Sequence, residues 1–179
     1  MKQGAALLTS LICIATGAWA HPHSQVDQQV QLIFTLDQIK ANITIVPAGA
    51  SGADIFAQLD TDGDGALSAA ETSAVGARVL PDLAGDFDST PLVFTVDEVK
   101  ISDRATFLAT HGKITISASA GYDPQPPSAH TARFDITFGE FAHDWFVQPY
   151  FQQDLADQMS PPQVVRSDTT DAVTVLFSH

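Results

Sequence analysis

"VQLIFTLDQIKANITI", residues 30–45, carries apolar side chains at every second position along two successive runs. Val30, Leu32, Phe34 and Leu36 alternate with Gln31, Ile33 and Thr35, and Ile39, Ala41, Ile43 and Ile45 follow among mostly polar neighbours. Successive side chains of a strand point to opposite faces, so this alternation predicts two strands that each bury one face. The pattern returns at Leu92/Phe94/Val96, Ile114/Ile116/Ala118, Phe134/Ile136/Phe138 and Val173/Val175/Phe177, with a tight turn expected at His111-Gly112. The proline-rich "YDPQPPSAH", residues 122–130, is expected to be a loop joining two of these strands, with His130 inside it.

Between the β regions, at about residues 50–84, the composition becomes Ala-rich and the apolar spacing helical. Ile55, Phe56 and Leu59 share one helical face, and Leu67, Val75, Val79 and Leu80 follow an acidic cluster. Ser68 is placed to cap the second helix, Glu71 to complete a capping box, and Pro81 and Gly85 to end it. The fold class expected is α+β: a mainly antiparallel β sheet or sandwich with one inserted helix-loop-helix, forming a single domain over residues 21–179.

The first twenty residues have another character. Lys2 precedes an apolar run from Ala5 to Thr16, and Ala18-Trp19-Ala20 has the small-x-small pattern of a signal peptidase site. Residues 1–20 are therefore expected to be a signal peptide, and the mature protein to be periplasmic or secreted. The run is short for a membrane span, and the rest of the chain contains no candidate span. Ile12 before Cys13 argues against a lipoprotein anchor. Cleavage after Ala20 would remove Lys2, no acid and the one cysteine, leaving 7 basic against 21 acidic residues, a formal charge of −14. Such a chain is a poor partner for nucleic acid or anionic membrane surfaces, and it could form no disulfide or thiolate metal site.

Within "LDTDGDGALSAAET", residues 59–72, acidic side chains fall at every second position, then a glycine, then a glutamate six residues further on. Calcium takes six to eight oxygens, and a twelve-residue loop can supply them from positions 1, 3, 5, 7, 9 and 12. Counted from Asp60, these are the carboxylates of Asp60, Asp62 and Asp64, the Ala66 carbonyl, Ser68 directly or through water, and Glu71 bidentately. Gly65 occupies position six, where the backbone turns sharply, and Leu67 the apolar position eight. Residues 60–71 resemble an EF-hand calcium loop at every ligand position, and with its helices the resemblance spans about 35 residues. Thr72 and Gly76 weaken the apolar face such an exiting helix would carry, and no second loop accompanies this one. The competing reading is a polar turn in which Ser68 and Glu71 only cap a helix. Three alternating aspartates, which repel one another without a cation, favour the ion, as a structural staple rather than a regulatory ligand.

Cleavage after Ala20 would expose His21-Pro22-His23. The α-amine with the His21 and His23 imidazoles suits Cu, Ni or Zn, although Pro22 lacks the N–H that a square-planar amino-terminal motif deprotonates. The alternative is a frayed terminus with two solvated histidines. His111 reads as a turn residue, and a strand through His143-Asp144-Trp145 would point the imidazole and carboxylate to opposite faces. The export signal, the "HPH" start, the acidic loop and the β-rich remainder together resemble a bacterial periplasmic family of unknown function and the extracytoplasmic domains associated with nickel/cobalt permeases. That resemblance implies periplasmic handling of a transition metal, Ni or Co as well as Cu or Zn, beside a metal-transporter membrane protein, although this chain lacks the permeases' spans.

Nucleophile-elbow, zinc-protease and phosphate-loop patterns are missing, and the Asp97-Glu98 pair reads as a solvated face. The sequence therefore points to a non-enzymatic calcium-binding domain, with a transition-metal carrier or sensor as the alternative.

Overall fold

The computed structural model describes residues 26–123, 129–167 and 169–178. The opening alternation forms β1 (Val26–Phe34) and β2 (Gln38–Pro47), which pair antiparallel from Val26↔Pro47 to Phe34↔Ile39. Val30, Leu32, Phe34, Ile39, Ala41, Ile43 and Ile45 are fully buried. Thr35 closes the connection by donating its hydroxyl to Gln38 O at 2.9 Å. Leu36 was expected to continue the first strand but sits in this turn, 40% exposed, because β1 ends where Thr35 begins the reversal.

Two five-stranded sheets face one another, as the alternation implied. Sheet one also contains β5 (Thr95–Ile101), β6 (Ile114–Gly121) and β8 (Trp145–Phe151), in the order β5-β6-β2-β1-β8. Sheet two contains β3 (Leu83–Phe87), β4 (Thr90–Pro91), β7 (Ala129–Ile136), β9 (Gln163–Arg166) and β10 (Ala172–Ser178), in the order β4-β3-β7-β10-β9. Phe34 of β1 bridges the layers: its ring stacks on Phe151 at 4.9 Å and meets Phe134 of β7 and Phe177 of β10 edge-on at 5.9 and 6.0 Å. Among the described residues every strand pairing is antiparallel except β1 with β8, which is parallel from Gln28↔Trp145 to Phe34↔Phe151.

Several local expectations are corrected. Leu92 and Phe94 lie between β4 and β5 rather than in a strand, and Val96 is 41% exposed. Phe138 is buried but follows the end of β7. His111-Gly112 is not a hairpin turn. The chain there leaves a short helix, α3 (Arg104–Leu108), through Thr110 at φ 64°, and Gly112 packs against the Phe107 ring, which leaves no room for a Cβ. His130 lies in β7, 4% exposed, rather than in the proline loop. His143 and Asp144 precede β8, so the strand starts only at Trp145. Gly85 belongs to β3, and the second helix of the insertion ends earlier, at a 3-10 turn over Leu80–Asp82 that contains Pro81. Another short helix, α4 (Gln153–Ala156), follows β8. Among the described residues no helix is long and apolar enough to cross a membrane.

Candidate metal centre

The insertion consists of α1 (Ser51–Leu59) and α2 (Ala69–Val79), joined by the acidic loop. Each helix is held by the β domain. Ile55, Phe56 and Leu59 of α1 are buried, and Phe56 meets Phe107 of α3 edge-on at 5.5 Å. Gly52 sits so close to α3 that an added Cβ would fall 2.7 Å from Phe107 O. Val75 and Val79 of α2 are buried, and Gly76, which looked like a defect in the apolar face, lets α2 settle onto Val96 and Val99 of β5. The sequence signal for this was the glycine itself, since a helix-interior glycine has a cost that close packing can offset. Leu67 packs against the edge of the same core.

The loop begins at Asp60, whose N–H donates to Phe56 O at 2.9 Å and ends α1. Gly63 and Gly65 take φ of 73° and 86°, a region open to glycine and costly for most side chains. The aspartates then fold the loop with their own backbone. Asp60 Oδ2 accepts from Gly65 N at 2.9 Å, Asp62 Oδ1 from Asp64 N at 3.2 Å, and Asp64 Oδ1 from Ala66 N at 2.8 Å.

Glu71 closes the ring from α2. Its Oε2 accepts from Ser68 N and Ser68 Oγ, both at 2.9 Å, and Ser68 Oγ in turn accepts from Glu71 N at 3.2 Å, which is the capping box expected at this helix start. Its Oε1 reaches back across the loop to Thr61 N at 2.6 Å and Thr61 Oγ1 at 2.8 Å. These donors, first the Ser68 N–H and then the Thr61 hydroxyl, hold the Glu71 carboxyl down at about 2.

Single ligand atoms of Asp60, Asp62 and Glu71 lie within 4.8 Å of one another, and among the described residues no other three or more His, Cys, Asp or Glu side chains converge in this way. Asp64 lies outside this trio, Ser68 is committed to the cap, and Ala66 stands exposed beside them. The residues fit a hard cation. Asp60 Oδ1 is buried and receives no hydrogen bond, a costly arrangement that a cation would relieve, and the donor set is all oxygen. Occupation would require Glu71 to exchange Thr61 donors for the ion. The sequence reading found these ligands but missed Arg104, the first residue of α3, which lines a cleft with Asp60, Gly63, Asp64 and Gly65.

His21 and His23 lie outside the described residues. His111 and His143 are exposed and join no cluster. His130 Nδ1 lies 2.7 Å from Asp88 Oδ2, its ring stacked on Phe87, a pairing between β7 and the turn after β3 that the sequence did not announce.

The fold and this cluster define a β-sandwich protein with an inserted acidic helix-loop-helix. No protein-family model matches the chain, and no curated protein matches it significantly.

Proposed function

We propose that this chain is an exported, periplasmic calcium-binding domain without catalytic activity, in which the loop Asp60–Glu71 holds one Ca2+ as a staple between α1 and α2. The observation that carries the reading is the convergence of Asp60, Asp62 and Glu71, together with the buried Asp60 Oδ1 that has no donor. Asp60, Asp62, Asp64, the Ala66 carbonyl, Ser68 and Glu71 would supply the six or more oxygens calcium requires. The ion would offset carboxylate repulsion and tie the end of α1 to the start of α2, where no second loop supports the first. A structural rather than regulatory role is supported by how α3 and β5 hold the two helices: Phe107 and Val99 leave little room for them to swing apart. The leader-like residues 1–20 support export.

A lone hand of this kind belongs with extracellular modules of about 10⁻⁴–10⁻³ M affinity. Calorimetry of the mature chain should register calcium binding in that range, with a rise in Tm that Glu71→Gln largely removes. No heat and no thermal shift at millimolar calcium would end the proposal.

A further inference from the structure

Most of the basic side chains near the insertion and on sheet two are committed elsewhere. Arg78 pairs with Glu140, Lys100 with Glu98 and Arg133 with Asp86, while Arg166 bonds Val147 O and lies over the Phe146 ring at 4.8 Å. Arg104 is placed differently. It forms none of the described ion pairs, and its Cδ lies 3.8 Å from where a Cβ on Gly65 would stand. With Asp60, Gly63 and Asp64 it lines a cleft of about 400 Å³ between α1, α3 and the loop.

The root of this side chain is fixed. Asp103 caps α3 by accepting from Thr106 N at 2.8 Å and Thr106 Oγ1 at 2.7 Å, and Phe107, fully buried, anchors the helix beneath Phe56. The arginine stem therefore lies over the loop because α3 is packed there. Its guanidinium does not bond Asp60 Oδ1, which stays without a donor. Arg104 thus lies beside the loop and leaves that oxygen available.

We propose that Arg104 sets the affinity of the acidic loop: a tethered cation that shields Asp60 and Asp64 while no ion is bound and opposes a divalent ion when one arrives. The inference rests on the calcium reading above. It gives the β domain a direct electrostatic influence on the loop, a part that a second hand does not play here. In a water-like dielectric, a unit charge within about 10 Å of a divalent ion changes affinity roughly three- to tenfold at low ionic strength, and concentrated salt screens most of that.

The test is calorimetric titration of the mature chain with calcium chloride, comparing wild type, Arg104→Gln and Arg104→Lys at about 10 mM and about 0.5 M potassium chloride. Arg104→Gln should bind calcium about three- to tenfold more tightly at low salt, with the gap closing at high salt, and Arg104→Lys should stay near wild type. Equal or weaker binding by Arg104→Gln at low salt would overturn the proposal. A second measurement needs no calcium: a double-mutant cycle between Arg104→Gln and Asp64→Asn, read as Tm in chelator at low salt. The loss from Arg104→Gln should shrink in the Asp64→Asn background, and strictly additive shifts would overturn the shielding. If wild type binds no calcium but the cycle shows coupling, the calcium reading and the affinity role fail together, while the shielding of the loop stands.

Discussion

Gly76 of α2 and Val99 of β5 stand so close that a Cβ on Gly76 would fall 2.9 Å from Val99 Cγ2. A valine at position 76 must push the helix off β5 or distort both partners, and overpacking of this kind costs about 1–3 kcal/mol. Gly76→Val should lower Tm and, by shifting the start of α2, weaken calcium binding as well. Unchanged stability would mean that α2 is not seated on β5.

Loss of the α3 anchor should be more severe. Phe107 is fully buried, contacts Phe56 and lies over Gly52 and Gly112. Phe107→Ala should cost about 3–5 kcal/mol in denaturant unfolding. For the same reason the excised segment 50–84, cut from both α3 and β5, should show little helix by circular dichroism and bind calcium far more weakly than the intact chain. Equal affinities would show that the hairpin folds by itself.

Acid should weaken the fold through Glu71. Its folded pKa, held near 2 by the Ser68 and Thr61 donors, lies below its ordinary value of 4.5. A depressed carboxyl contributes stability above the unfolded pKa and loses it as pH falls through the folded one. In chelator, Tm should therefore drop between about pH 4.5 and pH 2, and Glu71→Gln should flatten that part of the profile. Identical acid limbs for the two proteins would count against the hydrogen-bond network.

A second carboxylate tests the far end of the sandwich. Burial raises the Asp88 pKa, but hydrogen bonds from His130 and Thr131 N outweigh it and the net shift is downward. Asp88 also takes φ 49° in the β3–β4 turn, a conformation asparagine tolerates better than alanine. Asp88→Asn, which keeps the turn and one acceptor oxygen but loses the charge, should cost less than Asp88→Ala, which should cost about 1–3 kcal/mol by denaturant unfolding. Equal losses for both would show that the turn and the neutral acceptor contribute nothing.

The parts legible in the sequence were those where one face is buried and the other solvated. β1, β2, β6, β7 and β10 alternate cleanly because each has an inner row such as Ile114, Ile116 and Ala118. The bounds of β8 were not legible because Trp145, Phe146 and Val147 run together and Pro149 interrupts a ladder, which an edge strand tolerates. β9 is four exposed residues, and in β3 Gly85 imitated a helix stop. In the candidate site, Asp60, Asp62 and Glu71 were fixed by loop spacing, and the capping box by Ser68 and Glu71. Arg104 was not legible, because only the packing of Phe107 under α1 brings it to the loop.

The parallel pairing of β1 with β8 also orders events in time. β2 can join β1 as soon as the hairpin exists, but the other side of β1 waits for Trp145–Phe151, more than a hundred residues later along the chain. Closing so long a loop is entropically unfavourable until many contacts form together, and such distant pairings slow folding. Sheet one thus keeps an open edge along β1 through most of the chain's synthesis. A nascent protein of this sequence stays exposed to aberrant strand pairing until residue 151 has emerged, and helpers that delay its collapse would act within that interval.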